Sequence, residues 1–114
     1  MPEIQGSEPE EPFVRISVLE AARLIESGEV HVVDVRRPDE YAEGHIDGAV
    51  LIPVDDLLKR KHELPMDRPI IMVCKAGVRS ALASEMAAAI GCRRVYNLEG
   101  GMDEWIKQGL PVTR

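Results

Sequence analysis

The sequence predicts an α/β fold with a largely parallel sheet, and three observations carry that prediction. Short β-branched runs alternate with helical patterns along most of the chain, which is the element order that builds a parallel sheet. The run at 69–73 is almost entirely apolar, as in a strand that is buried on both faces. The chain has 114 residues, 45% hydrophobic and 30% charged, which fits one globular domain.

The N-terminal segment differs in composition from the rest of the chain. Residues 1–12 hold three prolines and four glutamates with almost no apolar content, so we expect a flexible acidic tail there. The predicted domain then covers residues 13–114. The start of the chain lacks the basic and apolar regions of a signal peptide, and no apolar run is long enough to span a bilayer. We therefore expect a cytoplasmic protein that does not engage a membrane.

The first predicted elements are a strand and a helix. Residues 13–16 alternate in polarity like a short edge strand. Ser17 followed three residues later by Glu20 forms a capping box, which predicts a helix over about 18–27. Gly28 is suited to end that helix.

Two further strands and a short helix follow. The mostly β-branched run at 30–35 predicts a buried strand. Pro38 at a first-turn position predicts a short helix that ends by Gly44. Residues 49–52 are a third strand candidate, closed by Pro53.

The second half of the chain repeats this alternation. We expect a polar helix with Leu57 and Leu58 facing inward, followed by the buried strand at 69–73. The alanine-rich stretch at 80–90 has high helix propensity, and residues 94–98 predict another strand. A last helix forms around Trp105, which we expect in the core.

Composition excludes several classes of function. Twenty acidic against fourteen basic residues give a net charge of −6, which repels phosphate backbones, so nucleic acid is not an expected partner. Two cysteines do not make a disulfide framework, and with three scattered histidines they show no metal-ligand spacing. We expect neither a metal nor another cofactor.

Chemistry in such a sheet is expected beyond the carboxyl ends of the strands. The informative segment is a cysteine at a strand end, followed by a small-residue loop and a helix start. That position surrounds the sulfur with backbone N–H groups and the positive end of a helix dipole, which favours a nucleophilic thiolate. We therefore favour a catalytic Cys74 over a cysteine that only packs in the core. The predicted binding loop comprises Lys75, Ala76, Gly77, Val78, Arg79 and Ser80.

The charged residues of these segments receive separate interpretations. Lys75 either attracts anionic donors electrostatically or is a solvated loop lysine. Arg79 is expected to brace the loop or its anionic ligand, because a guanidinium does not act as an acid. Asp34 and Arg36 are predicted to form an internal ion pair that supports the loops.

Two other residues with reactive side chains are interpreted as structural. His45 lies between a glycine and an isoleucine and is expected to be a hydrogen-bonded structural residue in preference to a general base. Cys92 precedes a strand and is expected to pack in the core.

Several ordered motifs resemble rhodanese-homology domains over about residues 15–112. The resemblance implies a rhodanese-like three-layer fold, with a five-stranded, mostly parallel sheet flanked by helices. It also implies a sulfurtransferase that carries a sulfane sulfur as a persulfide on Cys74, stabilised by the backbone amides of 75–79. The motifs are Asp34-Val35-Arg36 with Glu40-Tyr41, residues 44–49 with Ile52-Pro53, the loop from Cys74 to Ser80, and residues 96–101 with Trp105.

Loop length separates this chemistry from that of related phosphatases, which use Cys-x5-Arg loops. Here Arg79 follows Cys74 after four residues, a shorter loop that suits a terminal sulfur. The implied donor is thiosulfate or a persulfide. Lys75-Ala76 departs from the arginine that often follows the cysteine, and the loop is most similar to that of rhodanese domains that pass sulfur to small carrier proteins, so a protein sulfur donor or acceptor is also considered. The alternatives are a non-catalytic binding module and, less favoured, a cysteine-dependent phosphatase or arsenate reductase.

Overall fold

A computed structural model describes residues 11–114, so residues 1–10, which make up most of the predicted acidic tail, lie outside it. Five strands form one sheet in the order β1-β5-β4-β2-β3, and all four strand pairs are parallel. The predicted fold class is thereby confirmed. The strands are β1 Val14–Ile16, β2 His31–Asp34, β3 Val50–Leu51, β4 Ile70–Val73 and β5 Val95–Leu98.

Four helices cover the two faces of this sheet. They are α1 Val18–Ser27, α2 Pro38–Glu43, α3 Val78–Ile90 and α4 Gly101–Lys107, and two 3-10 turns lie at Val54–Asp56 and Lys61–Glu63. The predicted capping box of α1 is present, with Ser17 and Glu20 bonded to each other's backbone N–H groups. No helix within the described residues is long and apolar enough to cross a membrane.

The alternating side chains of the central strand β4 divide the core into two layers. Ile70 and Met72 pack with α3 on one face, whereas Ile71 and Val73 pack with α1 and α4 on the other. Trp105 is buried in the second layer, as expected, and its indole N–H donates to the carbonyl of Pro111 at 2.8 Å. This double burial explains why β4 is apolar without alternation.

The predicted polar helix before β4 is wrong. Two short 3-10 turns occupy that stretch, and only one of the paired leucines is buried. Leu57 has no exposed surface, whereas 59% of Leu58 is exposed. Consecutive residues of a helical segment do not share a face, so the two leucines cannot both point inward. Leu64 supplies the second buried side chain instead.

Candidate active site

Cys74 directly follows the central strand, at the carboxyl ends of the parallel strands. Its side chain is 1% exposed, so the sulfur lies at the bottom of its loop. The loop ends at Val78, where α3 begins two residues earlier than predicted. Gly77, at the N-cap of α3, has a φ of 97°, in the left-handed region that favours glycine.

Three donors converge on the Cys74 sulfur. The backbone N–H groups of Gly77 and Ser80 donate to Sγ at 3.1 and 3.3 Å. The Ser80 hydroxyl lies 3.2 Å from the same atom and is the donor when the sulfur is ionised. Because Ser80 is in the first turn of α3, its N–H has no acceptor inside the helix and is available to the sulfur. The arrangement favours negative charge on Sγ.

Helix α4 orients the start of the loop. Its Met102 and Asp103 N–H groups donate to the carbonyls of Cys74 and Lys75, at 2.8 and 2.9 Å. In a planar trans peptide the C=O and the following N–H point in opposite directions. The amides of Lys75 and Ala76 therefore point away from α4.

A buried asparagine of β5 orients the next peptide in the same way. Asn97 is fully buried, and its Nδ2 donates to the carbonyl of Gly77 at 3.2 Å. The following amide, that of Val78, therefore points away from β5. Side-chain and backbone contacts thus set the direction of successive loop amides.

Both cations of the loop form ion pairs with carboxylates from other elements. The Lys75 ammonium lies 3.0 Å from each carboxylate oxygen of Asp103 in α4. Arg79 donates two bonds to Glu40 of α2, at 2.9 and 3.1 Å. Those bonds hold the pKa of the Glu40 carboxyl at about 2, against the opposing effect of burial. Lys75 is therefore not a free lysine in this structure, and Arg79 braces the loop against α2.

The predicted ion pair between Asp34 and Arg36 lies beside the loop. Arg36 Nη2 is 2.8 Å from the Asp34 carboxylate, and both side chains are buried. The same nitrogen donates to the carbonyl of Gly44 at 2.8 Å. The pair therefore ties the end of β2 to the end of α2.

The two residues interpreted as structural occupy structural positions. The Nδ1 atom of His45 lies 2.8 Å from the carbonyl oxygen of Tyr41, and the two rings stack at 3.6 Å. Cys92 is buried, and burial raises the pKa of its thiol, which disfavours the nucleophilic thiolate.

Three residues that contact this site were not predicted as site residues from the sequence. Glu40 and Asn97 belong to the motifs that carried the family resemblance, and that was the one signal that pointed to them. Asp103 had no such signal. No group of three or more metal-ligating side chains lies close enough together in residues 11–114 to hold a metal ion.

Comparisons with known proteins show the family and the fold. Residues 17–108 match the rhodanese-like domain family. The chain is 42% identical to an uncharacterised protein of Bacillus subtilis. The match covers 65% of this chain but only 59% of that relative. It is 38% identical to a sulfurtransferase of Allochromatium vinosum, over 80% of this chain and 85% of the other.

A solved structure shows the same fold. The chain is similar to a rhodanese-related protein of Thermoplasma volcanium, with a TM-score of 0.81 and 32% sequence identity. The match covers 89% of this chain and 98% of the other.

Proposed function

The chain belongs to the rhodanese-like domain family, and we propose that it is a sulfurtransferase that moves a sulfane sulfur through a persulfide on Cys74. The donor in this proposal is thiosulfate or a persulfide, and the acceptor is a thiophile such as cyanide, a small thiol or a protein thiol. The proposed setting is the reducing cytoplasm, where Cys74 remains a free thiol.

One observation carries the proposal, namely the set of three donors around Cys74 Sγ at 3.1–3.3 Å. These groups are held in place before any charge develops, so they stabilise a sulfur anion without reorganisation. The amides of Lys75, Ala76 and Val78, directed away from α4 and β5, are proposed to receive the terminal sulfur once it is added.

In the first step the Cys74 thiolate attacks the outer sulfur of the donor. A new S–S bond forms to Cys74 as the S–S bond of the donor breaks, and the electron pair leaves with sulfite or with the donor thiolate. The product is Cys74–S–S⁻. In the second step an acceptor thiolate or cyanide attacks the terminal sulfur, and the electron pair of the breaking bond returns to Cys74 as thiolate.

The test is the intact mass of the purified protein after treatment with thiosulfate, and separately with a persulfide donor, without reductant. We expect a gain of one sulfur atom that cyanide removes. Cys74→Ser should show no such gain, whereas Cys92→Ser is the matched control and should gain sulfur like the unaltered protein.

Each other outcome has a defined meaning. A gain that persists in Cys74→Ser and disappears in Cys92→Ser would show that Cys92 carries the sulfur, and would refute the proposal. No gain from either donor would favour the binding-module alternative. Hydrolysis of an aryl phosphate would instead favour the phosphatase alternative.

A further inference from the structure

The cations around the candidate site are balanced by carboxylates. The segments that follow β2, β4 and β5 carry four cationic side chains, and each lies within 3.1 Å of a carboxylate oxygen. The pairs are Arg36 with Asp34, Arg37 with Asp39, Lys75 with Asp103, and Arg79 with Glu40.

Two of these pairs involve the loop, and the pair between Arg79 and Glu40 is held more firmly than the pair between Lys75 and Asp103. It is bidentate and only partly exposed, and Glu40 also accepts a bond from the backbone N–H of Arg37. Because the pKa of Glu40 is held at about 2, the carboxylate keeps its charge throughout the neutral range. Arg79 therefore offers little net positive charge to an arriving anion.

The pair between Lys75 and Asp103 is more exposed, with 61% and 56% of the two side chains accessible. Such a pair contributes little to stability, and Lys75 can rotate away from its partner. The backbone of Asp103 is nevertheless held against the loop by the bond from its N–H to the Lys75 carbonyl, so its carboxylate stays beside the loop. The carboxylate repels an anion at the point where Lys75 attracts one.

The two classes of sulfur donor, thiosulfate and organic persulfides, differ in the charge that they bring to the Cys74 loop. Thiosulfate is a compact dianion whose sulfonate oxygens need cations or N–H donors. An organic persulfide, R–S–S⁻, carries one negative charge on the sulfur that is transferred, and the loop amides are proposed to receive that sulfur. Where R is uncharged, the rest of the donor is a carbon skeleton that does not need a cation.

The exposed side chains beside the loop suit the carbon skeleton. Val78 is 76% exposed and Leu82, one helical turn further along α3, is 54% exposed. Residues four apart on a helix share a face, so the two make an apolar strip that leads away from the loop. An inorganic donor would leave this strip in water.

From these observations, and resting on the proposed function, we infer that the sulfur donor is an organic persulfide and that Glu40 and Asp103 select against thiosulfate. Transfer proceeds as Cys74–S⁻ + R–S–S⁻ → Cys74–S–S⁻ + R–S⁻, so that atoms and charge balance and no other reactant is needed. Glu40 and Asp103 act through Arg79 and Lys75 and are therefore specificity-determining residues without a catalytic role.

The experiment compares persulfide formation on Cys74 with butyl persulfide, whose carbon chain is uncharged, with a persulfidated carrier protein and with thiosulfate. We expect both organic donors to load the unaltered protein faster than thiosulfate. Glu40→Gln preserves the shape and the bond to the Arg37 N–H, while it removes the negative charge that balances Arg79. It should raise the ratio of kcat/KM for thiosulfate to kcat/KM for butyl persulfide about three- to tenfold, because the added net positive charge favours the dianion.

Asp103→Asn is a second variant at an exposed position, in case Glu40→Gln does not fold, and the same selective gain is expected. Glu63→Gln is the matched control, because it removes a carboxylate from an arginine ion pair formed with Arg60 outside the loop. Its rates should not change. Added salt should shrink the differences among the variants, since exposed charges are screened.

The outcomes separate this inference from the function on which it rests. If thiosulfate loads the unaltered protein as fast as the organic persulfides, or if neither variant gains activity with thiosulfate relative to butyl persulfide, the donor assignment is refuted while Cys74 remains the carrier. If no donor loads Cys74, the proposed function itself fails and the donor assignment fails with it. Faster loading by the carrier protein than by butyl persulfide would support an organic persulfide held on a protein as the donor.

Discussion

At the scale of single residues, Gly101 determines how closely α4 approaches the loop. Its φ is 57°, and a Cβ atom there would lie only 2.4 Å from the Cys74 carbonyl oxygen and 2.5 Å from that of Lys75. Those carbonyls accept the N–H groups of Met102 and Asp103. The absence of a side chain at Gly101 therefore permits the contacts that orient the loop amides.

Gly101→Ala should destabilise the protein by about 2–5 kcal/mol. The left-handed conformation costs an alanine about 1–2 kcal/mol, and forced displacement of packed backbone costs about 1–3 kcal/mol more. Urea unfolding measures the change in the free energy of unfolding. The matched control is Gly109→Ala, where φ is 77° but no atom lies within 4 Å of the added Cβ, so only about 1–2 kcal/mol is expected. Equal losses for the two variants would contradict the close contact.

The residues of the site differ in how far the sequence could predict them. The position of Cys74 at the end of a strand was predictable, because the apolar run at 69–73 ends directly before it. The partners of its neighbouring cations were not predictable. Glu40 and Asp103 lie 39 and 28 residues away along the chain from Arg79 and Lys75, and twenty acidic residues could each have served. Only tertiary structure selects among them.

At the scale of elements, α1 begins with a reciprocal cap. The Ser17 hydroxyl accepts the N–H of Glu20 at 3.1 Å, and the Glu20 carboxylate accepts the N–H of Ser17 at 3.0 Å. Ser17 lies directly after β1, so the cap also sets where the chain leaves the sheet. Two N–H groups that a helix start would otherwise leave without acceptors are satisfied.

Replacing Ser17 should reveal this cap in the stability of the protein. Ser17→Ala removes the hydroxyl and should cost about 1 kcal/mol, whereas Ser17→Gly should cost only a few tenths, because glycine is accepted at the N-cap position. Urea unfolding of both variants measures the two losses. If glycine costs as much as alanine, the hydroxyl is not what stabilises the start of α1.

Elements with end signals in the sequence were predicted well, and the element without them was not. The α1 helix has a capping box and a terminal glycine, and its predicted bounds match the structure. The stretch between β3 and β4 has adjacent leucines and scattered charges, which fit a helix or successive turns equally. Burial of Leu57 and Leu64 decides between them, and that burial depends on the packing of the sheet.

At the scale of the whole molecule, the strand order explains where the site lies. The chain passes from β2 outward to β3 at one edge, and then β4 and β5 lie on the other side of β2. The connections that leave β2 and β4 therefore diverge, and such a switch in direction opens a crevice at the carboxyl ends of the strands. Arg79 and Glu40 join the two sides of that crevice, the first in α3 and the second in α2.

The ion pair between Arg79 and Glu40 should make the free energy of unfolding depend on pH in the acidic range. The pKa of Glu40 is lowered from 4.5 to about 2 in the folded protein, chiefly by its bond to Arg79, so between these values the unfolded chain binds more protons. The stability that Glu40 contributes is then fully present above about pH 4.5 and is lost as the pH falls towards 2. Glu40→Gln should be less stable than the unaltered protein by about 1–3 kcal/mol at neutral pH, between the value of one hydrogen bond and the free energy that corresponds to the change in pKa.

Urea unfolding at a series of pH values between 2 and 7 tests this dependence. The gap in the free energy of unfolding between Glu40→Gln and the unaltered protein should be constant above pH 4.5 and should close towards pH 2. Glu63→Gln is the control, because its pair with Arg60 is more exposed and contributes less, so its gap should be small throughout. A gap for Glu40→Gln that does not change with pH would mean that the shape of the side chain, and not its charge, holds α2 against α3.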